Sequence, residues 1–217
     1  MNDNLLDTML DLTQAQPEDQ PMFDWLKKPQ LPASTTRSYK NGIPLHKLKV
    51  IGGGYVKPDP GNVLLSFGKT SDNAQLSFSG ANIETSATYL NVVNGGPVAS
   101  MDGKVFTITT ANVAVMPKLP SAAIANPATL TLTLNAATGA MSGGFTLKGD
   151  PDPTDHVAPI ATLNRGPVTF NGVLVPRLGR GVGCFQLQQL PNDGPPKTTL
   201  LTSPLLSGQV LLESNSK

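Results

Sequence analysis

The chain is predicted to be all-β: a small antiparallel β-barrel or rolled β-sandwich behind a short N-terminal helical extension. Three observations predict it. From about residue 45 onward, apolar and polar residues alternate with a period of two, as in a strand with one face buried. Glycines recur at similar places in successive strand-like segments, as a strongly coiled, closed sheet needs. No helical pattern of useful length follows residue 40. The expected division is therefore a helical or linker extension over 1–40 and an antiparallel β-domain over 41–217.

In the extension, Asp3 or Asn4 can cap a short helix carrying Leu5, Leu6, Met9, Leu10 and Leu12, which stops before Pro17. Its apolar stripe is expected to pack on the β-domain or on a partner. One helical turn is expected between Pro21 and Pro29, and Trp25, the only tryptophan, is read as a core or docking residue.

Along the β-domain, "TLTLTLN" places Leu130, Leu132 and Leu134 on one face and Thr129, Thr131 and Thr133 on the other. "VFTITTANVAV" turns Phe106 and Ile108 inward, then Val113 and Val115, so its parity shifts near Ala111; a bulge is expected there. "NAATGAMSG" joins two strands through a turn in which Gly139 can take positive φ. "PVTFNGVLV", "CFQLQQL" and "LLSGQVLLE" read as further strands, with weaker ones near 47–56, 62–68, 74–80 and 87–93. "MSGGFTL" and "LSGQVLL" share Ser-Gly-x-apolar-x-Leu, and glycine within a strand marks a bulge, a bend or close backbone approach.

Composition excludes several classes of function. Sixteen basic and fifteen acidic residues nearly cancel, so no electrostatic footprint for nucleic acid or an anionic membrane is expected. Two histidines and one cysteine cannot assemble a His/Cys zinc site within one chain, and a single Cys184 excludes an internal disulfide. No apolar run approaches the length of a membrane-spanning helix. The N-terminus lacks the basic and apolar regions of a signal peptide, which leaves a cytoplasmic protein or a piece of a longer, exported one.

The motifs that invite chemistry mostly read as structure. "GRGVG" resembles a dinucleotide loop, but such a loop leads from strand into helix, and this one lies between strands; a β-hairpin is expected. Cys184 alternates with Gln186 and Gln188 opposite Phe185 and Leu187 and has no helix N-terminus to activate it, so it is read as an incidental strand residue. "VIGGGYVKP" is read as a bend or close-packed segment. "GDPDPTDH" gathers Asp150, Asp152, Asp155 and His156, and its carboxylates form a weak candidate calcium loop. It lacks the central glycine and closing glutamate of an EF-hand, so a hydrated hairpin tip is the expectation. Neither catalytic residues nor a cofactor are expected.

Taken in order, "FDWLKK", "IGGGYVKP", "LLSFG", "NPATLTLTLNAATGAMSGGF", "GVLVP…GVGCF" and "SPLLSGQV" resemble an uncharacterised C-terminal β-module that ends many very large secreted or cell-surface bacterial proteins. The resemblance spans roughly residues 23–213. It implies a non-enzymatic extracellular module serving in attachment, adhesion or as a structural cap, with other β-domains or surface glycans as partners. The second expectation, from the barrel itself, is a pocket inside or at its mouth for a small molecule or glycan.

Overall fold

The computed structural model describes residues 22–31, 33–49, 54–68, 71–83, 86, 92–93, 96–97, 104–116 and 126–215. The expected helix over residues 3–16 lies outside them. The chain divides into two compact units between Gly54 and Tyr55, later than the expected break after residue 40.

The boundary moves because the first unit is a β-hairpin. Strand β1, Met22–Lys27, pairs antiparallel with β2, Ile43–Lys49, so the helical turn expected between Pro21 and Pro29 is a strand. Pairing across the hairpin satisfies backbone groups that a proline-bounded single turn would leave open. Trp25 is not a core residue: it is 40% exposed and meets Tyr39 edge-on at 6.0 Å, with the Lys27 ammonium 5.3 Å over the same ring.

The second unit is the barrel. Its strands are β3 (Ala74–Gly80), β4 (Val92–Val93), β5 (Gly96–Pro97), β6 (Lys104–Ile108), β7 (Ala114–Val115), β8 (Thr131–Asn135), β9 (Ala140–Pro151), β10 (Thr162–Val175), β11 (Arg180–Gln188) and β12 (Leu205–Ser214). Eight of them form one antiparallel sheet in the order β7-β6-β3-β12-β11-β10-β9-β8, while β4 and β5 pair separately. The sheet curls until its edges nearly meet, giving a nearly closed barrel. No helix of seven or more residues occurs among the described residues.

Alternation fills the interior. Leu130 and Leu132 are buried, with Thr129, Thr131 and Thr133 on the outside. Phe78 meets Phe145, Phe170 and Phe185 edge-to-face with centroids at 5.2, 5.7 and 6.1 Å. Such contacts contribute about 0.5–1.5 kcal/mol each beyond area burial.

The repeated Ser-Gly motif has a physical reason here. Register places Gly143, Phe170, Phe185 and Gly208 side by side across four adjacent strands. A Cβ on Gly143 would collide with the Phe170 ring, and one on Gly208 with the Phe185 ring. Each ring thus lies over the neighbouring strand's glycine and fills the space that side chain would occupy. In the next row the Met141 side chain covers Gly172 and Gly183 in the same way.

Two sequence expectations change. The parity shift near Ala111 is a tight β6–β7 turn: Asn112 N–H donates to Thr109 O at 2.8 Å, and Thr107 and Ile108 pair with Val115 and Ala114. Val113 and Val115 consequently face outward, at 56% and 44% exposure. Residues 62–68 form no strand; Leu64–Ser66 is a 3-10 turn with Leu65 and Ser66 at positive φ. Its anchors, Leu64 and Phe67, are buried in the core.

Candidate functional site

Antiparallel register gives the barrel two distinct ends. The β6–β7, β8–β9 and β10–β11 turns lie at one, here the turn end; the longer β9–β10 and β11–β12 loops lie at the other, the loop end.

The "GDPDPTDH" carboxylates belong to the loop end but do not share a site. Asp150 is fully buried, not hydrated at a loop tip as its sequence context implied. It accepts from Arg165 Nε at 2.7 Å and from the Ser86 hydroxyl at 2.7 Å. Arg165, itself 1% exposed, also donates from Nη1 to Gln188 O at 3.2 Å. Among the described residues, Arg165 Nη2 and Gln188 Oε1 have no hydrogen-bond partner. A buried ion pair of this kind ties β9 to β10, and Ser86 and Gln188 join it to two further segments.

The other carboxylates serve turns. Asp152 accepts from the Thr154 N–H and hydroxyl at 2.9 and 2.8 Å. Asp155 accepts from the N–H groups of Ala161 and Val157 at 2.6 and 3.1 Å, and those two bonds hold its carboxyl below the ordinary range. His156 reaches Asp193 of the β11–β12 loop at 2.8 Å, and that bond lowers the Asp193 carboxyl likewise. Among the described residues no group of three or more His, Cys, Asp or Glu side chains could hold a metal ion. A shallow hollow of about 370 Å³ lies beside these loops, with Leu163, Pro191 and Leu200 among its apolar walls and Asp152 and Lys197 at its polar side.

Of the remaining sequence candidates, "GRGVG" opens strand β11: a 3-10 turn at Pro176–Leu178 and Gly179 at φ 61° make the β10–β11 hairpin connection, and Arg180–Gly183 are already paired strand. Cys184 faces outward on β11.

The more developed concavity is at the turn end, where sequence reasoning placed a bend and a weak strand. Residues 55–68 cross this end as an irregular segment held at several points. The Tyr55 hydroxyl donates to Ala136 O at 2.7 Å, and its ring covers the β8–β9 turn at Gly139, which has φ 74° and no room for a Cβ. Burial pushes the Tyr55 hydroxyl pKa upward. Leu64 N–H donates to Asn112 Oδ1 at 2.7 Å, and Asn112 Nδ2 donates to Asn62 O at 3.4 Å. The segment and Pro176 enclose an open hollow of about 570 Å³.

No known family, curated protein or solved structure matches the chain. Its chemistry must therefore be read from this geometry. Four polar side chains line the hollow: Lys57, Asp59, Asn62 and Ser66. None of the four side chains bonds to another described residue. Tyr55, Pro58, Val63 and Pro176 supply apolar surface. The sequence signals are a proline- and glycine-rich turn, "KPDPGN", and an apolar run, "VLLSF", that reads as a strand. What they did not disclose is that Leu65 and Ser66 adopt left-handed backbone, which turns Ser66 out of the strand pattern and onto the hollow.

Proposed function

We propose that the chain is a non-enzymatic β-module of a bacterial cell-surface or secreted protein, acting in attachment or as a structural cap of a longer polypeptide. The observation that carries this reading is the barrel interior, lined by packed apolar side chains among the described residues. Phe78, Phe145, Phe170 and Phe185 occupy the middle, and inward glycines are covered by neighbouring rings and by Met141. At the turn end Leu64 and Phe67 join the core, and at the loop end Ile83 joins it. A barrel built to carry a ligand inside keeps a lumen, whereas one filled to core density gains rigidity. The low charge and Thr-rich outer faces support a role in packing or display.

The test is location and linkage. Antiserum raised against the purified chain is used on intact and fractionated cells of the producing organism. The expected result is surface or secreted signal, protease-accessible on intact cells, on a species larger than 22.7 kDa. Signal confined to the cytosol would overturn the proposal.

A further inference from the structure

We propose that the turn-end hollow is a binding site for a neutral oligosaccharide. The argument starts from its lining. Lys57 and Asp59 carry opposite charges, so the site has no net preference for anions or cations. An ammonium donates only, a carboxylate accepts only, and the Asn62 carboxamide and Ser66 hydroxyl do both. A sugar hydroxyl likewise donates and accepts, and a ring bearing several of them matches such a mixed set.

The apolar part of the lining fits the other half of a sugar. Pyranose rings present C–H faces, which pack on flat apolar surface. The Tyr55 side chain and the Pro58 and Pro176 rings provide that surface within the same hollow. At about 570 Å³ the space falls in the usual range for small-ligand sites, roughly 300–1,000 Å³.

The hollow is also preorganised. Tyr55 is fixed at Ala136, Asn62 and Leu64 are fixed through Asn112, and Leu64 and Phe67 are rooted in the core. Leu65 and Ser66 both hold positive φ, at 59° and 54°, which side-chain-bearing residues rarely adopt. A fixed site loses less conformational freedom on binding, which matters for ligands that bind through hydrogen bonds. The loop-end hollow lacks aromatic surface.

The experiment is a titration of the isotopically labelled full chain, followed by amide chemical shifts, with soluble hexasaccharides of glucose, xylose, mannose and N-acetylglucosamine. Polygalacturonate is the anionic comparison. Ligand is taken to about 10 mM where solubility allows, so that even a complex with Kd of about 1 mM is mostly formed. At least one neutral hexasaccharide is expected to shift amides within residues 55–67 and at Arg177 saturably. Asp59→Ala and Asn62→Ala should each weaken that binding at least about fivefold. Their melting temperatures should stay those of the parent, because neither side chain bonds to another described residue. Thr133→Ala, on the outer barrel face, should bind as the parent does. Absence of saturable shifts with every neutral sugar, shifts mapping elsewhere, or a preference for polygalacturonate would overturn the proposal. Each result leaves the surface location of the module, tested separately, unaffected.

Discussion

Removing Asp150 leaves the Arg165 guanidinium buried without its counter-charge. The pair lies almost entirely out of solvent, both side chains 1% exposed. Breaking a buried pair by deleting one partner costs on the order of 3–5 kcal/mol. Asp150→Leu also strands the Ser86 hydroxyl, which is fully buried and donates to the same carboxylate; that adds on the order of 1 kcal/mol or more. Against a total stability of about 5–15 kcal/mol, the single variant should lose roughly a quarter of it or more. Arg165→Met strands the carboxylate instead and should lose a similar amount. The double variant Asp150→Leu/Arg165→Met removes both charges and retains most of the volume. It should therefore lose much less than the sum, with a coupling energy of about 2 kcal/mol or greater. Urea unfolding followed by far-UV circular dichroism measures all four proteins. The sole tryptophan lies in the N-terminal hairpin rather than on a barrel strand, so backbone dichroism is the probe. A loss below about 1 kcal/mol for either single variant, or additivity in the double, would refute the assignment of a buried pair at the loop end.

Three further outcomes are expected. Gly208→Val and Gly172→Val should each cost about 1–3 kcal/mol or more, because the new side chain meets the Phe185 ring in one case and Val182 O with Met141 in the other. Thr133→Val, on an exposed strand face, should stay within about 0.5 kcal/mol; equal urea midpoints for all three would contradict the interlocked rows. About 10 mM calcium should leave Tm unchanged, since Asp150 is engaged by Arg165; a site at a hundred times its Kd would raise Tm by roughly 5–10 °C. In acid the loop end should loosen first. Asp155 and Asp193 have folded-state pKa values below the unfolded value of about 3.9, so their contribution is present above that pH and is lost as pH falls through the folded values. Protection of the Val157 and Ala161 amides, relative to their intrinsic exchange at each pH, should fall below about pH 4, and protection unchanged to pH 2 would count against this linkage.

What was legible in the sequence was what is local. The Leu130–Leu132–Leu134 alternation fixes its own burial, because period two decides the face without reference to the partner strand. Gly139 was legible as a turn residue for the same reason. Asp150 was not. Its hydration depends on Arg165 and Ser86, which lie 15 and 64 residues away in the chain, and no local pattern carries that information. The recurrent glycines announced a coiled sheet, but their pairing with Phe170 and Phe185 exists only once register is set. The Pro21–Pro29 stretch reads as a helical turn until Ile43–Lys49 pairs with it, a case of tertiary contact outweighing local preference. The turn-end hollow was least visible, since it is made by two left-handed residues inside an apolar run that otherwise reads as a strand.

The central claim is that this barrel is filled, and xenon measures that most directly, because an apolar void of sufficient size binds it. Methyl chemical shifts of the native chain are followed under increasing xenon pressure, with Phe185→Ala, which opens a void beside Gly208 and Phe145, as the comparison. The account requires that methyls of interior residues such as Leu76, Leu187 and Met141 show no saturable shift in the native chain and a clear one in Phe185→Ala. Saturable xenon binding at those methyls in the native chain would contradict it and place a cavity inside the barrel.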